Sequence, residues 1–165
     1  MVDPALVALA ERLQGICVGR GLTVGAAESC TGGLVAEAIT AVPGSSAYFL
    51  GSLVTYADAA KVEILGVPGD LLAAHGAVSA QVAREMASGA RWRLATSLAV
   101  SITGVAGPDG GSEAKPVGLT YLGLASAAGV EVRKRQFRED RAGNRLAAAT
   151  AALEWLIELA GQGPA

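Results

Sequence analysis

Histidine occurs once in this sequence, at His75, and cysteine twice, at Cys17 and Cys30. A Ser–His–Asp triad must therefore use His75 or not exist. Two cysteines build no disulfide framework, and no His, Cys and Asp stand at metal-ligand spacing, so neither a metal nor another cofactor is expected. Charged residues are 17% of the chain and aromatics 4%, while apolar residues reach 52%. So little charge argues against disorder and leaves the packing to Ala, Leu, Val and Gly, whose small side chains let helices approach a sheet closely. The net charge is −2 and the isoelectric point is near 5.4, so no basic field draws nucleic acid. There is no run of about 18 apolar residues for a membrane span and no charged leader for export, which makes a cytoplasmic setting the default. The phosphate loop GxxxxGK[ST] and the elbow GxSxG are both missing.

What is present fits one domain of 165 residues. Asp3-Pro4 opens a helix, in which Leu6, Leu9, Leu13 and Cys17 recur at helical spacing until Gly19 and Gly21. Residues 22–27 read as a buried strand and 34–41 as a helix, with Pro43-Gly44-Ser45-Ser46 a loop. A strand over 48–56 follows, then a short helix capped by Asp58, a helical turn over 71–74, and a longer helix from Ser79 to about Arg93. Residues 98–102 read as a strand, 117–125 and 130–137 as a hairpin, and Asp140 caps a last helix with Leu146, Leu153, Leu156 and Ile157 facing inward. Residues 161–165 are expected to fray. This alternation predicts a three-layer α/β/α domain around a mixed sheet.

Two segments carry chemistry. In Ala27-Glu28-Ser29-Cys30-Thr31-Gly32-Gly33 an apolar strand ends, a hydroxyl follows and a helix begins. Such a turn exposes a serine, and the N–H groups of the helix start, with Gly32 and Gly33 allowing close approach, suit an oxyanion or a phosphate. Ser29 or Thr31 as a mere N-cap is the competing reading, and Cys30 as a reactive thiol is a minor one. A serine nucleophile needs a base. His75, beside Gly76, reads as structural, which leaves Lys61, with Tyr56 to share its proton or orient it. An ordinary lysine is protonated at neutral pH, so Lys61 must be buried near a helix start to serve; the competing reading is an exposed helix lysine, and for Tyr56 an edge-strand aromatic. The second segment, Thr103-Gly104-Val105-Ala106-Gly107-Pro108-Asp109-Gly110-Gly111, is either a ligand-wrapping loop, with Thr103, Gly104, Gly107 and Gly110 as contacts, or a mobile surface loop. Arg145 is a candidate anion partner, against a solvated surface arginine.

Several short motifs in order carry a resemblance: the 27–33 segment, Pro-Gly-Ser-Ser at 43–46, Val-Thr-Tyr at 54–56, Lys61, and Leu-Gly-Val at 65–67. His-Gly-Ala-Val-Ser at 75–79, the 103–111 segment, Lys-Pro-Val-Gly at 115–118, Asp-Arg at 140–141 and Arg145 complete it. Over roughly Leu6 to Leu156 the chain resembles the CinA C-terminal domain family. The resemblance implies a metal-free α/β/α domain that hydrolyses nicotinamide mononucleotide to nicotinic acid mononucleotide and ammonia. It also implies a serine nucleophile assisted by a lysine and a tyrosine, which fall on Ser29, Lys61 and Tyr56. The partner is then a small nucleotide substrate, with neither nucleic acid nor membrane, and a homodimer is compatible with so small an enzyme. Some members carry a nucleotide-pyrophosphatase-like domain for which these residues leave no room. Asp58 stands where the family often has Asn, adding a negative charge near the base, and Glu139 where it often has Gly. A non-catalytic nucleotide-binding module and an interaction domain of competence or DNA-damage physiology are the competing functions.

Overall fold

The computed structural model describes residues 1–163. The Asp3 carboxylate accepts the Ala5 N–H at 2.8 Å, and α1 (Pro4–Arg20) buries Leu6, Ala10, Leu13 and Cys17 along one stripe, with Leu9 half-buried at its margin. Five strands follow with their helices: β1 (Val24–Glu28), α2 (Leu34–Thr40), β2 (Phe49–Val54), α3 (Asp58–Leu65), α4 (Gly69–His75), α5 (Ala80–Leu94), β3 (Leu98–Gly104), β4 (Leu119–Ser126), β5 (Gly129–Gln136) and α6 (Arg141–Gly161). The sheet runs β2-β1-β3-β4-β5, parallel across its first three strands and antiparallel across the rest. It is the mixed sheet the sequence predicts.

The pleat sorts the strand residues between two helix layers. Val24, Ala26, Val100 and Ile102 enter the core shared with α1, α2 and α6, whereas Ala27 and Ala99 join Val82, Met86 and Ala90 of α5 on the other face. Small residues set the spacing there: a Cβ at Gly123 would lie 2.4 Å from the Ala83 carbonyl oxygen, and the Ser101 hydroxyl donates to that same carbonyl at 2.6 Å. The crossover from β1 to β2 carries α2 on one face, and that from β2 to β3 carries α3–α5 on the other. The strand order therefore diverges at β1, and the carboxyl ends of β1, β2 and β3 open a crevice where such sheets bind ligands.

Three expectations shift by local physics. Asp58 does not cap α3: Ala57 occupies that position in extended conformation, no side chain bonds there, and Asp58 is the first helical residue. The strand expected over 48–56 narrows to 49–54, because Tyr48 closes a 3-10 turn at Ser45–Ala47 and Thr55-Tyr56 leave the sheet. The turn expected at 71–74 is α4, which starts directly after Pro68. Ser79 and Asp140 cap as expected, accepting the N–H of Val82 at 3.2 Å and of Gly143 at 2.8 Å. The stretch expected to fray begins inside α6: Gln162 N–H donates to the Leu159 carbonyl at 3.2 Å and Arg20 donates to the carbonyls of Ala160 and Gln162, while 164–165 lie outside the described residues. Among the described residues no helix is long and apolar enough to cross a membrane.

Candidate active site

Ser29 is the first residue past β1, and its N–H still donates to Ile102 at 3.0 Å, so the sheet fixes its backbone. It does not cap α2. That position belongs to Gly33 at φ 107°, and no side chain of its own caps the helix. The capping group is Glu28, whose fully buried carboxylate accepts the N–H groups of Gly33 at 3.0 Å, Val35 at 3.2 Å and Ala36 at 3.1 Å, and the Ser52 hydroxyl at 2.9 Å. The helix-start N–H groups are thus spent on Glu28 rather than aimed at a ligand, and Thr31 is no cap either. Gly32 N–H turns back to the Ser29 carbonyl at 3.1 Å. The N–H groups of Cys30 and Thr31 take part in none of these bonds.

Lys61 reaches this turn from the first part of α3. It is 1% exposed, and its Nζ lies 3.1 Å from Ser29 Oγ, 2.9 Å from the Thr55 carbonyl and 3.0 Å from the Tyr56 carbonyl. Burial lowers its pKa below the ordinary 10.5, while the charge of Asp58 pulls weakly the other way. An ammonium here donates to all three oxygens; once it loses its proton, the amine can keep its two bonds to the carbonyls and turn its lone pair to the serine hydroxyl. Tyr56 orients Lys61 through its carbonyl, not its hydroxyl. Its ring is exposed, and its Oη accepts from Arg141 Nη2 at 3.2 Å.

Ser29, Lys61 and Tyr56 line one open cleft of about 280 Å³ with Cys30, Thr103, Gly104, Gly107, Gly110, Asp109 and Arg141, close to the lower end of the size of small-ligand pockets. The 103–111 segment is therefore a wall of the same site. Gly104 is needed there by close approach, since a Cβ would lie 2.6 Å from Thr120 Oγ1 and 3.2 Å from Cys30 Sγ. Thr103 donates its hydroxyl to the Ala77 carbonyl at 2.8 Å. Burial pushes the Cys30 thiol up to about 11, against the lowering by its own backbone N–H and Arg145, so at neutral pH it is an uncharged thiol and a poor nucleophile. Thr31, Gly32, Gly33 and Arg145 stand outside the cleft lining. Arg145 instead donates from Nε to the Cys30 carbonyl at 3.1 Å and from Nη2 to the Thr31 carbonyl at 2.8 Å. His75 is exposed at the end of α4, and its carbonyl accepts from Lys115.

Glu28 and Arg141 escaped the sequence reading as site residues. A signal existed for Glu28: α2 follows a Gly-Gly pair with no Ser, Thr, Asp or Asn at its start, so its N–H groups needed an acceptor from elsewhere.

These features define a class: a three-layer α/β/α domain with a buried serine–lysine pair in a cleft at the switch point of its sheet. Residues 6–160 match the CinA C-terminal domain. A CinA-like protein of Geobacter sulfurreducens is 57% identical over 137 residues, 83% of this chain and 33% of that protein. One of Geobacter metallireducens is 54% identical over 136 residues, 82% of this chain and 33% of that protein. The chain thus spans about a third of the length of the curated relatives it matches. Among solved structures, the competence/damage inducible protein CihA from Agrobacterium tumefaciens superposes with a TM-score of 0.93 at 43% identity, covering 96% of this chain and 98% of that one. A competence-damaged protein (CinA) superfamily protein from Escherichia coli does so with a TM-score of 0.90 at 31% identity, covering 96% and 93%. The chain belongs to the CinA C-terminal domain family.

Proposed function

We propose that this domain is an amidohydrolase that converts nicotinamide mononucleotide to nicotinic acid mononucleotide and ammonia, in salvage of pyridine nucleotides within the cytoplasm. The observation that carries the reading is the buried Lys61 amine, held by two carbonyls with its third contact on Ser29 Oγ. In the proposed sequence Ser29 Oγ attacks the amide carbon while its proton passes to Lys61. The carbonyl oxygen becomes an oxyanion, for which the N–H of Cys30, a residue of the cleft lining, is the donor at hand. Collapse breaks the C–N bond, Lys61 returns the proton to the departing nitrogen, and ammonia leaves an ester on Ser29. A water, deprotonated by Lys61, then hydrolyses the ester and restores the serine.

The nucleotide end is assigned to the opposite wall. The backbone of the 103–111 loop and Arg141, the cation that lines the cleft beside Lys61, offer donors to a phosphate. Nicotinamide riboside, which lacks the phosphate, should then be a much poorer substrate. Incubation of the purified protein with nicotinamide mononucleotide, with ammonia as readout, tests the reading. Ammonia release that disappears in Ser29→Ala supports it. No release from the wild-type protein would leave a nucleotide-binding module without catalysis.

A further inference from the structure

The turn after Ser29 is gripped from two sides by opposite charges. Glu28 takes N–H groups on its α2 side, and Arg145, half-buried on the second turn of α6, takes the two consecutive carbonyls of Cys30 and Thr31. A trans peptide sets its C=O and N–H on opposite edges. Holding the Cys30 carbonyl against α6 therefore turns the Thr31 N–H away from α6. Holding the Thr31 carbonyl likewise turns the Gly32 N–H away, and that group is found on the Ser29 carbonyl at 3.1 Å. The guanidinium also polarises both peptide units, which strengthens their N–H groups as donors. Arg145 is absent from the lining of the Ser29 cleft but lines the neighbouring pocket, which shares Arg141 with it; its Nε and Nη2, both engaged on the turn, are placed to shape it.

We infer that Arg145 is a positioning residue for the Ser29 centre: it sets the Cys30–Thr31 and Thr31–Gly32 peptide planes, and with them the turn that holds Ser29 Oγ and the Cys30 N–H in place. The role rests on the amidase reading above and replaces the expectation that Arg145 binds the substrate phosphate. It also accounts for the residue type. Nε and Nη2 reach the two carbonyls as a fixed planar fork, whereas a lysine ammonium would have to meet both from a single atom.

The test compares Arg145→Ala and Arg145→Lys with wild type on nicotinamide mononucleotide and on the riboside, after thermal melts show which variants fold. Arg145→Ala should lower kcat by about 10²–10³-fold, the scale of a lost oxyanion donor, with KM for the mononucleotide nearly unchanged and the same fractional loss on the riboside. Arg145→Lys should recover only part of kcat. Guanidinium ion at non-denaturing concentration should restore activity to Arg145→Ala and leave wild type unaffected. A raised KM for the mononucleotide alone would make Arg145 a phosphate ligand and overturn the inference, as would unchanged kcat. If Arg145→Ala does not fold, the kcat and KM of Arg145→Lys decide. If the wild-type protein hydrolyses neither amide, the amidase reading fails separately. The rate at which a sulfonyl fluoride labels Ser29 then decides, and labelling as fast in the folded variant as in wild type would overturn the inference.

Discussion

Two turns leave the sheet at the same edge, and they are built in opposite ways. The turn after β1 holds buried residues, Ser29, Cys30 and Thr31, and is fastened by a carboxylate on one side and a guanidinium on the other. The turn after β3 is exposed from Pro108 through Ala114. It is fastened at its base, where Val105 N–H meets the Leu119 carbonyl at 2.9 Å and Asn144 Nδ2 donates to the Ala106 carbonyl at 3.1 Å. Arg141 adds a bond from Nη1 to the Gly107 carbonyl at 2.6 Å. Reacting groups must sit within a few tenths of an ångström of productive geometry, whereas a recognition loop gains from adjusting to its ligand. The first turn has the construction of a catalytic element and the second that of a binding element. Changes in the first should therefore act on kcat and changes in the second on KM.

The largest effect belongs to the serine–lysine pair. Ser29→Ala should remove turnover by about 10⁴-fold or more while leaving the melt nearly unchanged, because the hydroxyl caps no helix. Lys61→Arg should cost about 10²–10⁴-fold, since arginine stays protonated. The wild-type rate should rise with pH as the ammonium loses its proton, and that limb should vanish in the variant. Stability should follow the same direction. Lys61 is charged in both folded and unfolded chains below its lowered native pKa, so the cost of burying the charge is fully present there. Between that pKa and the ordinary 10.5 the unfolded chain binds more protons than the folded one, and stability rises with pH. Melts across alkaline pH, compared with Lys61→Met, would show the slope shrinking in the variant.

Glu28→Gln comes next. The amide keeps the shape but presents an NH2 where the carboxylate accepts four donors. It should cost about 1–3 kcal/mol of stability and lower kcat by roughly tenfold with KM unchanged, the signature of lost positioning. A raised KM at constant kcat would break the division between the two turns. In the second turn Gly110 sits at φ 86°, where a Cβ adds roughly 1 kcal/mol of strain. Gly110→Ala should raise KM severalfold and leave kcat alone. The smallest effect is that of His75→Ala, expected to change activity less than about twofold and stability within roughly 0.5 kcal/mol. A large loss there would reopen His75 as the base.

Local signals were legible in the sequence to the extent that their physics is local. Asp3, Ser79 and Asp140 each bond an N–H two or three residues ahead, and each is readable as a cap. Asp58 has the same chemistry but sits one residue inside the helix, a difference decided by the extended backbone at Ala57. The Ser29 turn announces itself by its glycines and its strand-to-helix context. Its two clamps do not. Glu28 reads as the first residue past a buried strand, whereas the structure makes it the last strand residue, with its carboxylate on the start of α2, and Arg145 reaches Cys30 across 115 residues of chain. Lys61 is the sharpest case: lysine on a short helix is ordinarily exposed, and only the packed structure removes it from water.

Turnover by the proposed route requires a covalent bond between Ser29 and the substrate. Acid-quenched reaction with nicotinamide mononucleotide, followed by intact-mass and peptide mass spectrometry within the first turnover, measures that bond directly. The expected result is a transient nicotinate mononucleotide ester on the peptide carrying Ser29, accumulating with the first equivalent of ammonia and absent from Ser29→Ala. Ammonia released at full rate by Ser29→Ala, with no adduct on the wild-type protein, would contradict it.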